Sequence, residues 1–143
     1  MIEVKQDIHI NKPAAEVFAF ITDFSKSAQW QTGLVRSEQT SSGAMGVGST
    51  GVVVQKFMGK EMSNEIVVTA YDAPKRYGAK TTSGPVQFQF EATLAEMGGG
   101  THVSMHMTGE AGGFFKLAEG MVQKELDKSI GQDLSKLKAL LEG

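Results

Sequence analysis

The sequence predicts an α+β protein: an antiparallel sheet of about seven strands packed on one long C-terminal helix, with two short helices after the first strand. Three observations carry that expectation. Near the N-terminus a two-residue apolar period stops and a helical one starts within three residues. From Leu34 to Met107 apolar residues recur mostly with a period of two, interrupted by small or proline-containing turns. From Gly112 onward the period lengthens to about 3.6, the repeat of an amphipathic helix.

The first change of period lies in Ile8–Trp30. Ile8 and Ile10 alternate with His9 and Asn11, and Asn11-Lys12-Pro13 ends the alternation. Asn suits a helix cap and Pro the first helical turn, where a missing N–H costs nothing. Val17, Phe18 and Ile21 follow at helical spacing, and Phe20 and Phe24 widen the apolar face. Asp23 and Ser25 start a second short helical turn that ends near Trp30.

The next six strands follow from alternation and turn chemistry. Leu34 to Thr40 reads as a short strand, and the small residues Ser41 to Gly46 as a loop. Val47 to Met58 carries the β-branched run Val52-Val53-Val54. Gly59-Lys60 turns the chain into Glu61 to Tyr71. Asp72-Ala73-Pro74-Lys75 is a turn, because Asp bonds its own backbone and Pro fixes φ. Arg76 to Thr82 is a strand closed by Ser83-Gly84-Pro85. Val86, Phe88, Phe90, Ala92 and Leu94 alternate with Gln87, Gln89, Glu91 and Thr93, the pattern of a half-buried strand. Gly98-Gly99-Gly100 turns it into the last strand, where Val103, Met105 and Met107 alternate.

The C-terminal stripe is Phe115, Ala118, Val122, Leu126, Ile130, Leu134, Leu137 and Leu141. It implies a helix of roughly 28 residues, ~42 Å long at 1.5 Å per residue. Lysines and glutamates on the other side make it too polar to span a membrane. The stripe must pack on the concave face of the sheet, since no other predicted surface is large enough. Gly120 and Gly131 lie inside it, each at a cost of ~1 kcal/mol against alanine; either permits a close approach of the sheet or a bend.

Composition bounds the class. A chain of 143 residues with 41% hydrophobic and 21% charged residues is expected to form one domain over its whole length. It contains no cysteine, which removes disulfides, thiol nucleophiles and thiolate metal sites. No secretory leader or apolar stretch of ~20 residues is present, so a cytoplasmic location without stable membrane insertion is expected. A net charge of −2 gives no electrostatic reason to expect nucleic acid.

The order strand, two short helices, six strands, long helix resembles the helix-grip fold of the START/Bet v 1-like (SRPBCC) superfamily. Within it, the chain looks most like the polyketide cyclase/dehydrase and lipid-transport group. Short cues reinforce the resemblance: Pro13 with Glu16-Val17-Phe18, Asp23 with Trp30, Val47-Gly48-Ser49, and Asp72-Ala73-Pro74-Lys75-Arg76. The resemblance implies a curved sheet wrapped around the C-terminal helix, pairing of the first and last strands, and a cavity between sheet and helix. A scaffold of this kind does not itself assign chemistry.

Catalytic and metal motifs are thin. Gly46-Val47-Gly48-Ser49-Thr50-Gly51 matches G-x-G-x-x-G, but that fingerprint needs a helix N-terminus after it, and Val52-Val53-Val54 is strand. His102 and His106 share a strand face about 13 Å apart, too far for one ion, and with His9 they alternate against apolar neighbours and should point outward. No metal or other cofactor is expected. Asp23, Glu65, Asp72, Glu91, Glu110 and Asp127 fit caps, turns or surface positions, and no catalytic set is identified. Tyr71 or Tyr77 could polarise a carbonyl only if its hydroxyl enters the cavity.

The expected site is therefore the cavity lining. Phe88, Phe90, Leu94, Val103, Met105 and Met107 should face inward from the last two strands. Phe114, Leu117 and Met121 should form a second apolar edge at the start of the helix, and Phe24 and Trp30 should close one end. Asn64, Tyr77 and Thr81 are the polar candidates. Eight methionines suit an adaptable apolar pocket, although apolar alternation alone marks burial of any kind. The expected partner is a small lipophilic molecule. The alternatives are a cyclase/dehydrase-like enzyme that holds a hydrophobic substrate folded, and an interaction module docking on a larger assembly. The outward positions Gln87, Gln89, Glu91, His102 and Ser104 look too polar for the last.

Overall fold

The computed structural model describes residues 2–57, 59–84, 87–110 and 119–143. In chain order these form β1 (Ile2–Ile10), α1 (Ala14–Thr22), a 3-10 turn (Phe24–Lys26), α2 (Ser27–Trp30), β2 (Leu34–Gln39), β3 (Thr50–Phe57), β4 (Lys60–Asp72), β5 (Arg76–Ser83), β6 (Gln87–Met97), β7 (Gly100–Glu110) and α3 (Glu119–Glu142). The seven strands make one antiparallel sheet in the order β1-β7-β6-β5-β4-β3-β2. This is the expected helix-grip architecture.

The topology explains the cavity. β2 through β7 join neighbour to neighbour, whereas β1 pairs with β7 from Ile2 opposite Gly109 to Ile10 opposite Thr101. The chain therefore leaves one edge of the sheet after β1 and re-enters at the opposite edge as β2. The 23-residue interval from Asn11 to Gly33, with α1 and α2 in it, has to cross the sheet. It roofs one end of the concave face.

α3 covers the rest. Val122, Leu126, Ile130, Leu134 and Leu137 are its buried residues, one stripe of a 3.6-residue period. The helix packs chiefly on β1 and also protects that strand's free edge. The Gln123 side chain accepts from Glu3 N–H at 2.9 Å and donates to the Glu3 carbonyl, while Lys138 Nζ donates to the His9 carbonyl at 2.7 Å. An edge strand capped in this way offers few open backbone groups to another sheet. Gly131 serves close approach: a β-carbon there would stand 3.1 Å from Gln6 Oε1.

Several local expectations differ from the structure. Asn11 does not cap α1; Pro13 occupies the cap position without a side-chain hydrogen bond, and the Asn11 N–H donates to Glu142 Oε2 instead. Asp23 does cap the following turn, accepting from the Ser25 N–H at 3.0 Å. β3 begins at Thr50 rather than Val47, which is exposed, because Gly48 turns through φ +91° before the ladder starts. β6 runs on to Met97 and meets β7 through a two-residue turn in which Gly98 and Gly99 both have positive φ, as hairpin twist requires. The first turns expected for the long helix, with Phe114, Phe115 and Leu117, lie outside the described residues.

Candidate functional site

Between the concave face and the helices lies a cavity of about 200 Å³. Alternate residues of the strands form its floor. Tyr77, Ala79 and Thr81 come from β5, Phe88 and Phe90 from β6, and Met105 and Met107 from β7. Asn64 and Ile66 of β4 and Val53 and Gln55 of β3 extend it toward β2. Phe24, Ser27 and Trp30 close one end, and Leu126, Ile130 and Asp133 of α3 form the opposing wall.

Nine of the sequence-predicted residues line this space: Phe24, Trp30, Asn64, Tyr77, Thr81, Phe88, Phe90, Met105 and Met107. Val103 does not; it is fully buried between β1 and β6, opposite Ile8 and Leu94. Met121 is 60% exposed. The inward stripe of α3 passes through Val122, and a neighbour in sequence is turned about 100° away from it. Phe114 and Leu117 fall outside the described residues.

A register shift sets the aromatic end. Between Val68 and Ala70 the β4–β5 pairing slips by one residue, so that Tyr71, opposite Tyr77, joins the inward face. Phe18 of α1 then meets Tyr71 edge-on at 5.2 Å and Tyr77 at 6.4 Å, and Tyr77 meets Phe90 at 6.2 Å. Edge-to-face pairs of this kind stabilise beyond their buried area. Burial, and secondarily the neighbouring Tyr71, push the Tyr77 phenol up to about 12, so it stays protonated at neutral pH.

The polar residues of the wall divide into engaged and unengaged. Thr81 Oγ1 accepts the Phe88 N–H at 2.9 Å, which ties β5 to the start of β6. Asp133 Oδ1 accepts the Thr32 N–H at 2.6 Å. Burial raises the Asp133 carboxyl above the usual aspartate range, against the opposing Thr32 bonds and the Lys136 charge. Trp30 Nε1 and Asn64 Oδ1 are buried without a hydrogen-bond partner. Sequence reasoning missed Asp133, although it stands three residues after Ile130 and four before Leu137, the spacing of one helix face.

The remaining motifs take other roles. Gly46 to Gly51 leads into β3, a strand, so the glycines do not open a helix. His9 stands opposite His102; His102 meets Asp7 at 3.2 Å and His106 meets Glu3 at 2.8 Å, on the outer side of the β1–β7 pair. Among the described residues no three His, Asp or Glu side chains converge on a metal position. No described helix is long and apolar enough to cross a membrane.

The sequence model of the family described as "Polyketide cyclase / dehydrase and lipid transport" matches residues 1–142. No curated protein matches the chain. Several solved structures share the fold. A Thermus thermophilus protein superposes with a TM-score of 0.83 at 20% identity, covering 96% of this chain and 94% of its own. A START superfamily protein from Mycobacterium smegmatis gives 0.81 at 14% identity, covering 98% and 97%. The di-domain ARO/CYC BexL of the BE-7585A biosynthetic pathway gives 0.76 at 17% identity, covering 99% of this chain and 50% of that one.

Proposed function

The chain belongs to the polyketide cyclase/dehydrase and lipid-transport family, and from that premise we propose that it binds one small lipophilic molecule between its sheet and C-terminal helix. The supporting observation is the cavity itself: about 200 Å³, walled mainly by Phe, Met, Ile, Val and Leu side chains from sheet and helices. An engineered apolar cavity of ~150 Å³ already takes up benzene. Burying ~200 Å² of apolar ligand surface at about 25 cal/mol per Å² gives ~5 kcal/mol, a dissociation constant near 0.1–1 mM for a bare bicyclic hydrocarbon. Tighter binding then depends on polar contacts.

Native mass spectrometry of freshly purified protein, with extraction of any bound compound, tests this reading. One apolar small-molecule adduct per chain supports it. A clean mass together with no calorimetric uptake of either naphthalene or 2-acetylnaphthalene overturns it.

A second reading, a catalyst that holds a hydrophobic substrate folded, draws on one observation. A protonated Tyr77 phenol and a half-buried carboxyl, Asp133, line the same cavity and could polarise or exchange protons with a carbonyl compound. The cavity volume favours a substrate of one or two rings over a long extended chain.

A further inference from the structure

We propose that Trp30 is a specificity-determining residue of this cavity. Its indole N–H donates to an uncharged oxygen acceptor (a ketone, ester or hydroxyl oxygen) of the bound molecule. The site then selects oxygenated compounds over plain hydrocarbons. The proposal rests on the binding reading above and names the class of molecule that reading leaves open.

The first support is an unmet hydrogen bond. Trp30 is 3% exposed and its Nε1 has no partner. An indole nitrogen only donates, so no alternative tautomer or flipped amide removes the deficit. Buried Trp N–H groups usually find a partner, and leaving one unpaired forfeits the hydration it had in water.

The second support is where such deficits fall. Among the described residues two buried side-chain polar atoms lack partners, Trp30 Nε1 and Asn64 Oδ1, and both residues line the cavity. Asn64, 3% exposed, packs its amide against Gly84, where a β-carbon would collide with it. The rest of the protein satisfies its described buried side chains; the cavity does not. With the Asn64 oxygen packed at Gly84, the Trp30 N–H is the unmet donor left for an occupant.

The third support is charge. α2 packs against α3, and Thr32, two residues beyond Trp30, donates to Asp133. The Trp30 end of the cavity thus carries a carboxyl and would repel an anionic head group. Lys80, the one cation among the described lining residues, is on β5, three strands from β2, against which α2 packs. An uncharged oxygen fits the indole N–H without confronting Asp133.

Three matched probes test the proposal: naphthalene, 2-acetylnaphthalene and 2-naphthoate, titrated calorimetrically into the wild-type protein. The ketone is expected to bind at least about tenfold tighter than the hydrocarbon, and the carboxylate more weakly than the ketone. Trp30 is the chain's single tryptophan, so a ¹⁵N-labelled sample gives one indole N–H resonance. It should move downfield with the ketone and not with naphthalene. In Trp30→Phe the ketone preference should fall toward one; should that variant fail to fold, the wild-type resonance decides alone. Equal affinities for ketone and hydrocarbon, or an unmoved resonance in the ketone complex, overturn the proposal and leave the binding reading intact. Carboxylate binding tighter than ketone binding overturns the uncharged acceptor. Uptake of none of the three overturns both readings.

Discussion

The ring of Phe24 lies on the bare backbone of Gly51, in the space a β-carbon would occupy. Phe24 opens the 3-10 turn between α1 and α2, and Gly51 is the second residue of β3. The contact seats the roof of the cavity on the floor near the β2 edge. A residue with any side chain at position 51 would push the ring away.

Gly51→Ala is therefore expected to destabilise the protein by about 1–3 kcal/mol, the usual cost of overpacking. The cost should shrink by about half or more in a Phe24→Ala background. Some should persist, because the new methyl also stands 3.0 Å from the Glu38 carbonyl oxygen. Urea denaturation of the four proteins in that cycle measures the coupling. Identical costs of Gly51→Ala in both backgrounds would show that the ring is not what the glycine accommodates.

Tyr77 makes stability depend on alkaline pH. Its folded phenol titrates at about 12 against 10 for a free tyrosine, with burial the main cause. Between those values the unfolded chain loses the proton first, so stability present below pH 10 is lost as pH rises toward 12. Two units correspond to roughly 2–3 kcal/mol. Tyr77→Phe should flatten the fall in urea midpoint between pH 9.5 and 11.5 relative to wild type. Parallel curves for the two proteins would place the phenol in contact with water.

The parts of the site written in a period of two were legible in advance. Phe88 with Phe90, and Met105 with Met107, fall where alternation puts them, because a strand has only two faces. Helical phase was harder. Met121 reads as apolar edge until Val122 is seen to carry the stripe, and the missed Asp133 shares the inward face with Ile130 and Leu137. The slip between Val68 and Ala70 that turns Tyr71 inward leaves no local signal, since it depends on pairing with β5. Nor does the sequence reveal that the Trp30 N–H lacks a partner, which is a property of everything around it.

Asp133 gives the opposite end of the pH range. Burial raises its folded carboxyl above the unfolded value. The folded state thus holds the proton longer, and the stability this contributes in acid is lost as pH rises through the carboxyl titration. Asp133→Asn keeps an oxygen to accept the Thr32 N–H and removes the ionisation. The variant's melting temperature relative to wild type should rise as pH goes from 3.5 to 7. A difference that stays constant, or falls, over that range would mean the carboxylate is solvated or paired in the folded protein.

Met105 gives the sharpest test of the cavity wall. It is 6% exposed, stands between Gln6 of β1 and Ala92 of β6 in the sheet, and faces the cavity. An arginine there would bring a charge into a mainly apolar space whose opposing wall carries Leu126 and Ile130. Such a burial costs several kcal/mol where no partner is in reach. Met105→Arg is expected to lose naphthalene uptake and at least about 3 kcal/mol of stability. Met105→Leu, which keeps volume and apolarity, should cost under about 1.5 kcal/mol and retain uptake. Calorimetry and urea melts on both variants separate a packing defect from a blocked cavity. A stable Met105→Arg protein that still takes up naphthalene would place the methionine outside the binding wall.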